Sequence, residues 1–81
     1  MKIRNKLKNM KIMYHNIRGL KSKLDSLCEI VEEEKPDIVA IIETMLDNKD
    51  EIQIGGYEIF RKDRISGGGG ILVAVKKDLR G

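Results

Sequence analysis

Two polar residues close two apolar runs in this chain. Asn16 ends the run Lys11-Ile12-Met13-Tyr14-His15, and Glu43 ends Asp37-Ile38-Val39-Ala40-Ile41-Ile42. A carboxylate beside a carboxamide suits a hard metal ion and a phosphate, because the carboxylate supplies negative charge while the amide hydrogen-bonds without adding more. A helix-length segment separates the runs. If they are parallel neighbours in one sheet, both groups emerge at its carboxyl edge, where open α/β sheets bind ligands.

The elements that must deliver these two residues are readable in outline. Lys11 to Asn16 fits a strand, and Arg18-Gly19 turns the chain, glycine tolerating a positive φ. Ser22 and Asp25 make an [ST]-x-x-[DE] helix start with Ser22 as N-cap. Leu24, Leu27, Cys28 and Val31 then follow the i, i+3, i+4, i+7 spacing of one helical face, with Leu20 preceding them. Pro36 ends the helix, since it cannot donate the next backbone bond and pushes the residue before it out of the α region. Ser22 to Glu34 spans about 20 Å as a helix, which a six-residue strand at ~3.3 Å per residue matches. The helix therefore returns the chain to the start of a parallel strand, a right-handed βαβ unit. Thr44 to Glu51 reads as a polar, acidic surface loop or short turn. Tyr57 to Arg61 and Ile71 to Val75 are strand-like and joined through Lys62 to Ser66 and glycines Gly67 to Gly70, an antiparallel hairpin with a wide loop. A strand, not a helix, follows those glycines, so they connect a hairpin and do not cradle a phosphate.

Eighty-one residues make one small domain, which buries only about 60–65% of the surface its unfolded chain exposes. The net charge of +3 hides a strong asymmetry: Met1 to Leu24 carries eight Lys or Arg and no acid, whereas Asp25 to Glu51 carries ten acids against two bases. Residues 1–10 read as a basic arm too sparse in apolar residues for a defined element, able to follow a phosphate backbone or simply to be solvated. Cys28 is the only cysteine, so no intrachain disulfide forms; the spacing makes it a small core hydrophobe. The longest apolar runs fall far below the roughly 18 residues of a membrane span, and no membrane association is expected. The expected setting is intracellular.

The runs Ile38 to Ile42 and Ile71 to Val75 are apolar without alternation, the pattern of strands covered on both faces. Yet the chain offers one helix. Four strands present a face of roughly 400 Å², near the largest apolar patch a soluble monomer leaves exposed. One face is expected to lack cover, which another copy, another chain or further sequence of a longer protein would supply.

The ordered set Asn16-Ile17-Arg18-Gly19-Leu20, Pro36 to Thr44, Gly56-Tyr57, Arg61-Lys62-Asp63-Arg64 and Gly68-Gly69-Gly70 resembles the beginning of an endonuclease/exonuclease/phosphatase domain. It is most similar to the apurinic-endonuclease-like domain that opens the polyprotein of non-LTR retrotransposon reverse transcriptases. The resemblance covers Lys11 to about Lys77, dividing the chain into the arm, 1–10, and a truncated domain, 11–81. It implies an α/β fold, the N-terminal portion of a four-layer α/β sandwich of the deoxyribonuclease-I-like kind, and hydrolysis of DNA phosphodiesters with a divalent ion, usually Mg²⁺. It makes Glu43 the metal-binding glutamate and Asn16 the active-site asparagine that helps hold the metal, water and phosphate network. It also implies a nuclear setting if the chain derives from a retroelement.

The later motifs of that family, an Asp/Asn pair and a terminal Asp-His pair, are not among these residues, so the chain is expected to be a fragment, inactive alone. His15 is the only histidine, and next to Asn16 on a strand it points to the opposite face. Arg18, Arg61, Lys62 and Arg64 are the candidate nucleic-acid contacts, with a solvated hairpin tip as the alternative for the last three. For Asn16 an Asx-turn onto Arg18-Gly19 is open beside the site role. A non-catalytic nucleic-acid-binding module, and an interaction fragment whose open sheet face pairs with itself or with the rest of a split domain, are the rival functions.

Overall fold

The computed structural model of the protein describes residues 2–6, 10–63 and 69–78. Its centre is the βαβ unit. Strand β2 (Met10–Asn16) is followed by a 3-10 turn (Lys21–Lys23), helix α1 (Leu24–Glu34) and strand β3 (Ile38–Ile42), which lies parallel to β2 with Met13 opposite Val39 and Asn16 opposite Ile42. The 11 residues of α1 span about 16 Å, which the five of β3 retrace at about 3.3 Å each. Strands β4 (Tyr57–Lys62) and β5 (Ile71–Lys76) form the expected antiparallel hairpin, from Tyr57 opposite Lys76 to Lys62 opposite Ile71. It is β5 that joins the unit, antiparallel to β3.

One expectation is corrected at the amino end. Lys2–Lys6 is a strand, β1, paired antiparallel with β2 from Lys2 opposite Tyr14 to Lys6 opposite Met10. The five-stranded order is β1-β2-β3-β5-β4. Without β1, β2 would present a bare row of N–H and C=O groups, and a lysine- and arginine-bearing strand is a common way to close such an edge against further pairing. The hydrogen-bond demand of β2, not apolar periodicity, makes this element.

The helix start is also corrected. Ser22 lies inside the 3-10 turn, and Lys23 stands at the N-cap of α1 without a side-chain cap. The turn is instead closed by Lys23 N–H donating to the Leu20 carbonyl, 2.9 Å, with Leu20 fully buried as its anchor. At the other end Lys35 takes the left-handed conformation and its N–H returns to the Val31 carbonyl, after which Pro36 prevents continuation.

Leu27 and Val31 of α1 lie in the core with Leu20, Met13, Val39, Ile41, Leu72 and Ala74, flanked by Leu24 and Cys28. Burying a large aliphatic side chain contributes about 1.5–3 kcal/mol, so this one layer carries most of the fold. The loop after β3 is less superficial than its composition implies: Thr44 and Leu46 turn inward and are buried, as is Ile54. The opposite sheet face bears Ile12, Ile38, Ile42, Val73 and Val75, and on it Tyr14, Phe60 and Ile71 are about half exposed. No helix among the described residues is long and apolar enough to cross a membrane.

Candidate functional site

The carboxyl ends of β2 and β3 meet at one rim. Asn16 Nδ2 donates to Glu43 Oε2 at 3.0 Å, joining residues 27 positions apart. Strict strand alternation would not produce this. Asn16 is in register with Ile42, so one further extended residue would point to the other face. Glu43 instead has φ +57, and this left-handed backbone returns its side chain to the side of Asn16. A non-glycine residue there costs on the order of 1–2 kcal/mol, and such outliers concentrate where a side chain must be aimed.

The loops around the rim hold that backbone from two sides. Gly19 N–H donates to the Glu43 carbonyl and Leu20 N–H to that of Thr44, both 2.9 Å; Thr44 N–H donates to Gly70 O at 3.3 Å and Met45 N–H to Gly69 O at 2.7 Å. The supporting roles of Thr44, Gly19 and Gly70 were not read from the sequence. Their signal was the glycine beside each rim strand. Gly19 has φ +104, as the turn requires.

Arg18 also lies at the rim, φ +49, its Nε 3.7 Å from Glu43 Oε1. Lys62 is exposed and joins Glu43, Asp63 and Gly70 around a shallow cavity of about 340 Å³. Arg61 goes elsewhere. Its guanidinium donates to Asp63, to the Asp50 carbonyl (2.6 Å) and to the Asp47 carbonyl (2.8 Å), an internal clamp on the acidic loop and not an open basic tip. Arg64 lies outside the described residues. Among the described side chains, Asn16 bonds Glu43 and makes no Asx-turn.

His15, in register with Ile41 on the covered face, is partly buried, and burial, with the nearby Lys23 charge, pushes its pKa below the ordinary 6.5. It takes no part in the rim. A larger cavity, about 550 Å³, opens at the far end of the sheet beside Cys28, Val31, Ile54 and Tyr57. Burial raises the Cys28 pKa, as do Asp25 and Glu32, and the cavity mixes the apolar Val31 and Ile54 with charged Glu32, Lys35, Lys76 and Asp78.

No group of three or more His, Cys, Asp or Glu side chains comes together among the described residues. Glu43 and the Asn16 amide oxygen are the donor set at the rim, and the Asp63 carboxylate beside the same cavity is already taken up by Arg61. That set fits magnesium, which retains several waters and is commonly held by one or two carboxylates. With Nδ2 turned to Glu43, the Asn16 amide oxygen is left as an acceptor or ligand.

No protein of curated function matches the chain in sequence. Its fold superposes on an AP endonuclease from Archaeoglobus fulgidus with a TM-score of 0.69 at 25% identity, over 79% of this chain and 26% of that one. It superposes on a 3′ phosphatase from Neisseria bound to a product DNA hairpin with a TM-score of 0.73 at 21% identity, over 82% and 27%. For an AP endonuclease from Leishmania major the TM-score is 0.68 at 23% identity, over 80% and 23%. The chain thus spans about a quarter of the length of these structures. The Endonuclease/Exonuclease/phosphatase family matches residues 13–81, from the buried Met13 of β2 through both rim strands, and to that family this chain belongs.

Proposed function

We propose that the chain supplies the cation- and phosphate-holding rim of a Mg²⁺-dependent endonuclease domain of the non-LTR retrotransposon kind, with DNA as its substrate, and that these 81 residues bind without turning over. The observation that carries this reading is the 3.0 Å contact between Asn16 and Glu43 at the carboxyl edge of two parallel strands.

Glu43 is the one carboxylate ligand, and Asn16 fixes its orientation while presenting an amide oxygen to the same space. Magnesium held there would supply Lewis-acid polarisation of a phosphoryl oxygen and offset charge on a leaving oxygen. Arg18 and Lys62 flank the rim and balance phosphate charge. Arg61 holds the loop beneath them. His15 faces the core side, and the 81 residues contain no second histidine, so these residues bring no imidazole to the rim to orient an attacking water or protonate a leaving oxygen. The supporting likeness is that to the archaeal AP endonuclease, at 25% identity.

The test is titration of the purified chain with Mg²⁺, read by NMR. Shifts at the Asn16 side-chain amide that vanish in Glu43→Ala support the site, and shifts that persist in Glu43→Ala refute it. Incubation with abasic or supercoiled DNA and Mg²⁺ should give no cleavage; cleavage lost in Glu43→Ala would overturn the inactivity while keeping the site.

A second property is favoured by the half-exposed Tyr14, Phe60 and Ile71. The sheet face that carries them is a surface for another sheet, from a second copy or from the remainder of a longer domain.

A further inference from the structure

We infer that Arg18 is an exchangeable counter-ion of the rim: it neutralises Glu43 while no divalent cation is bound, and is released to a phosphate group when one binds. The inference rests on the proposed cation site and goes beyond it by assigning that site a built-in competitor.

The two oxygens of Glu43 are divided between two partners. Oε2 accepts from Asn16 at 3.0 Å, and Oε1 lies 3.7 Å from Arg18 Nε. The second contact is beyond hydrogen-bond length, and the Arg18 side chain is 77% exposed. A permanent pair in the same fold looks different. Arg61 and Asp63 meet at 2.7 Å with side chains only 21% and 15% exposed. Arg18 is close enough to Glu43 to offset its charge and too loosely held to resist displacement.

Its proximity is nonetheless imposed by the backbone. The next residue, Gly19, donates its N–H to the carbonyl of Glu43 itself, so the two Cα positions are tied whatever the side chains do. Arg18 and Glu43 both occupy the left-handed region, at φ +49 and +57, and the fold accepts strain at each end of this one pair. A divalent ion on Glu43 would repel the guanidinium. The freed Arg18 stands at the solvent edge, where planar forked donors match a phosphate.

The experiment uses the full chain, its Arg18→Gln and Arg18→Gly variants, and Glu43→Gln, with Mg²⁺ and Mn²⁺ binding measured by calorimetry. Both Arg18 variants should bind the cation about two- to fivefold more tightly, the size of an exposed ion pair. Agreement between them separates charge from strain, because only glycine relieves the backbone. DNA binding in the presence of Mg²⁺, followed by anisotropy against salt, should weaken in Arg18→Gln with a salt slope shallower by about one. Unchanged or weaker cation binding in the Arg18 variants, with Glu43→Gln abolishing it, would overturn the exchange alone. Cation binding untouched by Glu43→Gln would overturn the exchange and the proposed site together.

Discussion

Gly70 lies directly against Thr44: a β-carbon at Gly70 would stand 2.5 Å from Thr44 Oγ1, while its φ of +100 already disfavours any side chain. The Thr44 hydroxyl is buried and has no hydrogen-bond partner among the described residues. Gly70→Ala should therefore destabilise the chain by about 1–3 kcal/mol, measured by urea denaturation. Adding Thr44→Ala to that variant should recover the overlap and leave the backbone strain, so the rescue is partial. Thr44→Val alone, which removes an unsatisfied hydroxyl, should change stability by less than about 1 kcal/mol.

Arg61 and Lys62 are adjacent and basic, and their substitution should have opposite consequences. Arg61→Ala deprives the Asp47 and Asp50 carbonyls and Asp63 of their donor and should cost about 1.5–3 kcal/mol, the range for hydrogen bonds to charged groups. Lys62→Ala should stay within about 0.5 kcal/mol. In DNA binding the order reverses: Lys62→Ala lowers affinity most at low salt, and Arg61→Ala has little effect at temperatures where it remains folded.

The lowered pKa of His15 makes stability fall on acidification. Below the ordinary 6.5 the unfolded chain takes up a proton that the folded chain, with its imidazole partly buried, still refuses. Stability contributed by neutral His15 is thus full above about 6.5 and declines as pH drops from there to the lowered folded value. Asp50, held low first by the Asp47 backbone N–H and then by Lys21, begins to contribute its own acid loss only near and below its ordinary 3.8. Thermal melts at pH 7.5, 6.5 and 5.5 should show a decline that His15→Gln flattens; an equal decline in that variant would assign it elsewhere.

The open sheet face should make the chain self-associate. Sedimentation velocity over increasing concentration should give a rising mean coefficient, suppressed in Phe60→Lys with Ile71→Lys. A monomer at every concentration would show that the face needs no cover.

Sequence pattern specifies some of these elements and leaves others silent, for physical reasons. The βαβ unit was legible because α1 has a clear 3.6-residue face and Pro36 a clear stop; β1 was not, since pairing demand leaves no periodic trace. Asn16 and Glu43 are legible as the ends of two runs joined by a helical return, and the ordered motifs add their roles. Alternation alone would have separated them, and nothing in a glutamate announces a left-handed backbone. The orientation of Arg61 does leave a trace in the sequence. Tyr57, Ile59 and Arg61 share one face by period two, whereas Lys62 falls on the other, so the inward turn of Arg61 was available from spacing. Its loop partners, the carbonyls of Asp47 and Asp50, were not.

Four backbone hydrogen bonds tie residues 43–45 to the loop after β2 and to the glycines before β5, segments some 25 positions away on either side. No contiguous stretch of the polypeptide can assemble this arrangement by itself. Hydrogen exchange at Gly19, Leu20, Thr44 and Met45 should accordingly open as one unit. Whatever loosens either flanking loop would then release the carboxylate without touching it, so the aim of Glu43 depends on backbone far from it in the chain.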